Sequence, residues 1–211
     1  MLQDEIVQAF THKFILAQYG VIGKFMAMMN RLRLCCLLGL AVAAPALAQS
    51  SGDTFKDRDD GAKVHVSGFV CPPRIGAFER DAAGEADPEK SSDFCAYGAR
   101  DGVYGTITLT PLAGLYDPRQ ALAPKFREQE AIGGKRLYET TLKWNGLGIY
   151  TRAYRTSRAE ALEYRILFTG AALKNWVVEV TVEYGDPRDA QTEAEFLHAV
   201  YQNAQSQIGT P

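Results

Sequence analysis

Residues 135–184 read KRLYETTLKWNGLGIYTRAYRTSRAEALEYRILFTGAALKNWVVEVTVEY, and this stretch decides the fold. It reads as four consecutive antiparallel strands joined by turns at Asn145-Gly146, Ser157 to Glu160 and Gly170 to Lys174. Asn145-Gly146 is the strongest turn signal, because both central positions of a type I′ turn need positive φ. With that turn as the loop, Trp144 pairs with Leu147, Leu142 with Ile149 and Thr140 with Thr151. Carrying the register through the other two turns gives an apolar face of Leu142, Ile149, Phe168 and Trp176, then Thr140, Thr151, Ile166 and Val178, then Tyr138, Ala153, Tyr164 and Val180. That face is expected to be the core. The opposite face then carries Glu139, Arg152, Arg165 and Glu179 in one row, with Lys143, Tyr154, Glu163, Thr181 and Glu183 nearby. A one-residue slip in any strand would destroy the pattern.

Downstream, Asp186-Pro187 precedes Ala190, Ala194, Leu197, Val200, Tyr201 and Ala204 at helical spacing, with Thr192 and Glu195 offering a capping box. This helix is expected to cover the apolar sheet face. Upstream, a middle helix is expected from an Asp117 N-cap and Pro118 to Gly133-Gly134, kinked at Pro124, whose ring crowds a carbonyl four residues earlier. Val103, Gly105, Ile107 and Leu109 share one face of a strand entered through Asp101-Gly102. Val64, Val66, Gly68 and Val70 alternate as another, stopped by Cys71-Pro72-Pro73. Asp81 to Ser92, rich in Ala, Gly, Pro and charge, is expected to be a surface loop. The class is therefore α+β, an antiparallel sheet packed by a C-terminal helix and a kinked middle helix.

Residues 135–204, a meander followed by a capped helix, resemble the arrangement in PsbP-like and DcrB-like domains of exported proteins. The resemblance implies a sheet covered by the last helix and assigns no functional residue. Cys71-Pro72-Pro73 and Phe94-Cys95-Ala96-Tyr97-Gly98 have no counterpart in it.

Arg31 to Ala48 reads as a cleavable secretory leader, with a basic start at Arg31 and Arg33, an apolar run from Leu34, and Ala46-Leu47-Ala48 as the cleavage signal. The run is shorter than the roughly 20 residues a spanning helix needs, so no membrane span is expected in the mature form. Met26, Met28 and Met29 stand in front of the leader, so residues 1–28 read as a spurious or extended N-terminus, 29–48 as the signal peptide, 49–62 as a flexible lead-in and 63–211 as one domain. Cleavage after Ala48 removes Lys13, Lys24, Arg31 and Arg33 of the 23 basic residues and Asp4 and Glu5 of the 25 acidic ones. What remains is 19 against 23, a net charge near −4, which argues against nucleic acid as a partner. The expected location is periplasmic or secreted. Cys35 and Cys36 leave with the leader, and Cys71 and Cys95 form the expected disulfide of an oxidising compartment.

Catalytic signals are sparse. No P-loop, GxSxG elbow or HExxH helix occurs, and no metal or cofactor is expected. Asp57, Asp59 and Asp60 lack the glutamate that would close a calcium loop. Cys71 and Cys95 lack the CxxC or histidine company of a metal-binding or catalytic thiol. His198 is expected at a helix surface or boundary. Ser67 and His65, two residues apart on one strand, would point the same way without supporting each other's proton transfer. Glu139 and Glu179 have arginines between them, which hold carboxylates ionised and unfit as general acids. The row Glu139, Arg152, Arg165, Glu179 reads either as a solvated face of ion pairs or as a docking surface. In the second reading Arg152 and Arg165, beside Tyr154 and Tyr150, take an anionic ligand or an envelope protein. The expected function is an exported, non-catalytic interaction or accessory domain, with a small hydrolase or an inhibitor or immunity-type protein as alternatives.

Overall fold

The computed structural model describes residues 54–99, 102–157, 163–185 and 189–209. The leader, its cleavage point and Asp186-Pro187 lie outside the described residues, as does the segment 158–162. The strands are β1 (Phe55–Asp57), β2 (Lys63–His65), β3 (Val70–Cys71), β4 (Arg74–Ile75), β5 (Phe78–Asp87), β6 (Ser92–Gly98), β7 (Tyr104–Pro111), β8 (Lys135–Trp144), β9 (Leu147–Ser157), β10 (Glu163–Leu173) and β11 (Trp176–Gly185). The helices are α1 (Pro118–Ala121), α2 (Ala123–Ala131) and α3 (Ala190–Gln207). β1 to β3 form a small sheet, and the other strands form an antiparallel sheet of order β4-β5-β6-β7-β11-β10-β9-β8. The fold is α+β and dominated by its sheets.

The hairpin β8–β9 has the register that its turn dictates: Trp144 opposite Leu147, Leu142 opposite Ile149, Thr140 opposite Thr151. Asn145 and Gly146 both have positive φ. Beyond β9 the register departs from the expected one. Arg152 faces Phe168 rather than Arg165, a slip of three residues, so the side chains of β10 exchange faces. Gly170 to Lys174 is not the turn; β10 runs on to Leu173 and turns through Lys174 and Asn175, with Leu173 opposite Trp176. Lys174 takes the positive φ that Asn-Gly or Gly would normally signal. Gly170 sits mid-strand because the Tyr116 hydroxyl rests against it, where any Cβ would collide.

A slip of three on one side of β10 and five on the other moves β11 by an even number relative to β9, so β11 keeps its face. One face therefore carries Ile149, Thr151, Ala153, Leu167, Thr169, Ala171, Val178 and Val180. It is covered by the small sheet and by Phe196, Val200, Tyr201 and Ala204 of α3. The other face carries Tyr150, Arg152, Tyr154, Ile166 and Phe168, and packs against Leu122, at the junction of α1 and α2, and Phe126 of α2. Both faces are thus buried at the centre of the sheet, whereas a single apolar face was expected. Tyr138, Thr140 and Leu142, placed in that core by their pattern, are exposed instead: β8 is the edge strand, and along it only Glu139 and Trp144 are partly buried.

Four further expectations are corrected. Val64 to Val70 is a hairpin, since Gly68 has φ +90° and turns β2 back into β3; Val66 lies at the tip, exposed. Residues 55–57, expected as lead-in, pair with β2, and Ala62 is buried. Asp81 to Ser92 is largely strand, because pairing with β6 overrides its weak β propensity; only Pro88–Lys90 is a 3-10 turn, capped by Asp87. The middle helix starts on an Asp117 cap and breaks at Leu122, just before Pro124. The C-terminal helix takes Asp189 as its cap, whose carboxylate accepts from the Thr192 amide at 3.0 Å, in place of the Thr192–Glu195 box. Its deepest aromatic, Phe196, falls outside the apolar positions picked out by the helical spacing.

Cys71 of β3 and Cys95 of β6 form a disulfide with Cα atoms 6.4 Å apart, and this ties the small sheet to the large one. The closed loop spans 24 residues. Replacing both cysteines by serine should cost about 3 kcal/mol by the chain-entropy relation, read as a lower denaturant midpoint with the slope retained.

Candidate functional site

Glu139 lies on β8 opposite Arg152 of β9, on the sheet face that α1 and α2 cover. Its Oε2 accepts from Arg152 Nη2 at 2.8 Å and from Arg136 Nη1 at 3.2 Å, and its Oε1 accepts from Arg119 Nε at 2.8 Å. The bulge between Arg136 and Tyr138 in β8 turns Arg136 onto this face, and the short helix α1 brings Arg119 over it. Three cations therefore share one carboxylate. The hydrogen bond from Arg119 above all holds the Glu139 carboxyl below the usual range; burial opposes it, and the charge of Arg152 adds to the lowering. The two ends of the cluster differ in access. Arg152 and Glu139 are 13% and 19% exposed, whereas Arg119 and Arg136 are 68% and 59% exposed.

Beneath this rim the guanidinium of Arg152 lies 3.9 Å from the Phe126 ring centre, a cation–π contact. Its Nη1 donates to Tyr154 Oη at 3.2 Å, and Tyr154 Oη donates to Glu130 Oε1 at 2.9 Å. Burial raises the Tyr154 phenol, so it stays a neutral relay between arginine and carboxylate. Tyr150 lies beside them under Arg119, its phenol also raised by burial. Such a cluster suits the holding of an anionic group and is poorly suited to acid–base chemistry, because its carboxylate stays ionised and its phenols stay protonated.

Of the residues singled out from sequence, Glu139, Arg152, Tyr154 and Tyr150 are brought together. Arg165 is not, because the slip in β10 sets it opposite Arg155 and Tyr184 on the other face. Glu179 shares the face of Arg152 but stands opposite Gly170 and pairs with Lys125 of α2 at 3.0 Å. The row is therefore neither contiguous nor solvated. Arg119, Arg136 and Glu130 were missed. The spacing Arg136 to Glu139 was visible, but a bulge puts the two on one face where an ideal strand would separate them.

A second polar cluster lies where the small sheet meets the large one. His65 and Asp93 are 1% and 3% exposed. His65 Nε2 lies 3.0 Å from Asp93 Oδ2, and Thr54 Oγ1 donates to Asp93 Oδ1 at 2.9 Å. His65 Nδ1 lies 2.8 Å from Ser67 Oγ and accepts from the Ser67 amide at 3.1 Å. Serine and histidine do support each other here, contrary to the reading of one continuous strand, because the turn at Gly68 folds Ser67 back over the ring. Nε2 carries the proton towards the carboxylate, and Nδ1 accepts the serine hydroxyl. This is a nucleophile, base and orienter in sequence, with the two ring nitrogens exchanged relative to the usual triad. The serine oxygen also accepts the Phe69 amide at 3.1 Å, as a turn-forming serine does. Phe55 and Trp176 enclose the imidazole, with centroids 5.1 and 4.9 Å away.

His198 is exposed and lies edge-on to Trp144. Among the described residues no group of three or more His, Cys, Asp or Glu side chains is placed to hold a metal ion. Among them also, no helix is long and apolar enough to cross a membrane.

No family model matches the sequence, and no curated protein matches it. Among solved structures, a mutant of the protein Mog1 aligns with a TM-score of 0.37 and 15% identity over 74% of this chain and 93% of that one. A likeness of this size shows neither fold nor function.

Burial lowers the pKa of His65 below its ordinary 6.5, more than Asp93 raises it. A histidine depressed in the folded state binds its proton more readily when unfolded, so its contribution to stability is complete above about pH 6.5 and falls away as the pH drops towards the folded value. Melting temperature should therefore decline below about pH 6.5, and His65→Gln should remove that step from the pH profile. An unchanged profile in the variant would assign the titration elsewhere.

Proposed function

We propose that this chain is an exported, non-catalytic binding domain of the cell envelope whose partner presents negative charge. One observation carries the reading: three arginines converge on a single carboxylate at the rim of the sheet, and two of them remain mostly exposed. Arginine clusters of this kind recognise carboxylates and phosphates through paired N–H donors. Export follows from the leader-like segment Arg31 to Ala48, and the resemblance of residues 135–204 to PsbP-like and DcrB-like domains agrees with it. A disulfide between Cys71 and Cys95 suits an oxidising compartment. The inhibitor reading loses the feature it called for, since Asp81 to Ser92 is paired into the sheet rather than protruding as a stapled loop.

The inward arginine, Arg152, supports Phe126 and Tyr154, so the test falls on the outer pair. Arg119→Gln with Arg136→Gln should abolish chemical cross-linking to an envelope partner identified by mass spectrometry in the parent protein, and leave the melting temperature nearly unchanged. Equal cross-linking to the same partner by parent and variant would overturn the reading.

The distances around Ser67, His65 and Asp93 favour a second reading, a small exported hydrolase. A fluorophosphonate probe labels an activated serine. Under the binding reading it leaves Ser67 unmodified, and labelling that disappears in Ser67→Ala would establish the hydrolase instead.

A further inference from the structure

The eight-stranded sheet ends differently at its two sides. One side closes on β4, two residues long, with β5 beside it interrupted by two register shifts. The other side ends on β8, ten residues long, with no strand paired to its outer side among the described residues. Long regular edges are normally blunted by bulges, charge or a covering element, because their free N–H and C=O groups recruit other strands. β8 has one bulge near its start, and from Tyr138 to Trp144 it is regular.

The hairpin turn determines which backbone groups face outward. A two-residue turn closes on a hydrogen-bonded pair, here Trp144 and Leu147, and pairs alternate along the ladder. Leu142, Thr140 and Tyr138 therefore direct their backbone groups at β9, and Lys143, Thr141 and Glu139 direct theirs outward. Three N–H and three C=O groups are thus presented at the spacing of a strand.

The side chains state what would pair there. On one face Tyr138, Thr140 and Leu142 are exposed, Leu142 by 55%, in the alternation that favours apolar residues in a neighbouring strand. On the other face stand Glu139, Thr141 and Lys143. Glu139 is already shared by three arginines, two of them largely exposed, and Lys143 forms no ion pair among the described residues. Positive charge therefore dominates that side of the edge.

We propose that β8 binds an extended segment of a partner protein by strand addition, and that this segment alternates apolar residues on one face with aspartate or glutamate on the other. The proposal rests on the binding reading above and names its partner chemistry. The added strand completes the outward hydrogen bonds of Glu139, Thr141 and Lys143, places its apolar side chains beside Tyr138 and Leu142, and brings its carboxylates to Lys143, Arg136 and Arg119. A second copy is a poorer occupant, since pairing β8 with itself sets Lys143 against the arginines around Glu139.

The test uses the protein produced from the full chain and two fluorescent ten-residue peptides, one alternating Val and Glu, the other Val and Lys. Anisotropy titration should show saturable binding of the Glu peptide and at least about tenfold weaker binding of the Lys peptide. Hydrogen exchange of the Glu139, Thr141 and Lys143 amides should slow in the complex. Thr141→Pro removes one outward N–H without touching the ladder to β9, and should weaken Glu-peptide binding about tenfold or more. Lys143→Glu keeps the backbone intact and should narrow or invert the preference between the peptides, which decides the matter even if the proline variant is unstable. Equal binding of the two peptides by the parent, or an unaltered preference in Lys143→Glu, would overturn strand addition. If that occurs while envelope cross-linking still depends on Arg119 and Arg136, the binding reading stands and only its mode is wrong; if cross-linking also fails to depend on them, both fall.

Discussion

The register of β10 is the constraint on which the rest of this structure depends. It is a central strand, buried on both faces, and so must present two apolar sets at once: Leu167, Ala171 and Leu173 towards α3 and the small sheet, Ile166 and Phe168 towards α1 and α2. A slip by one residue would exchange these sets and put side chains of the wrong size under both covers. Tyr116 resting on Gly170 and the Thr169 hydroxyl 2.6 Å from Tyr201 Oη anchor the register from opposite faces.

Burial on both faces explains why the charged groups beneath the covers gather several partners, although the buried Nε atoms of Arg152 and Arg155 have no hydrogen-bond partner among the described residues. Arg152 is mostly buried, and it is held by Glu139, Tyr154 and the face of Phe126. His65 and Asp93 satisfy each other in the seam between the two sheets. Removing one member of such a pair leaves a desolvated polar group, which costs more than the pair itself contributes. Function is therefore to be sought where the covers end. That is at β8, where Arg119 and Arg136 emerge and the backbone of the sheet is exposed.

Much of the local structure was legible. Asn145-Gly146 specified its hairpin and the pairing of Glu139 with Arg152, because few residue pairs accept two positive φ values in succession. Pro124 announced the break between α1 and α2, and Asp117 the cap before it. Two of the errors share one cause. Gly68 and Gly170 were read with their roles reversed, the first as a strand residue and the second as a turn. A glycine tolerates both positive φ and close approach, and only its neighbours in space show which is needed. Lys174 carries no turn signal at all, yet it occupies a turn.

The sequence by itself determined the β8–β9 hairpin, the strand β7, the cap and break of the middle helix and the helical run of α3, through sterics that act within a few residues: turn φ angles, helix caps, a missing proline N–H and alternation of apolar side chains. It also specified which cysteines could join and which charges lie opposite each other across the first hairpin. Tertiary structure alone decided how β10 is registered, that the second sheet face is covered by α1 and α2, and that Arg165 parts from Arg152 while Arg119 and Arg136 join it. Those outcomes depend on contacts between residues far apart in the chain, where a shift of one or two positions leaves every local preference satisfied and only the packing of both faces selects among the alternatives.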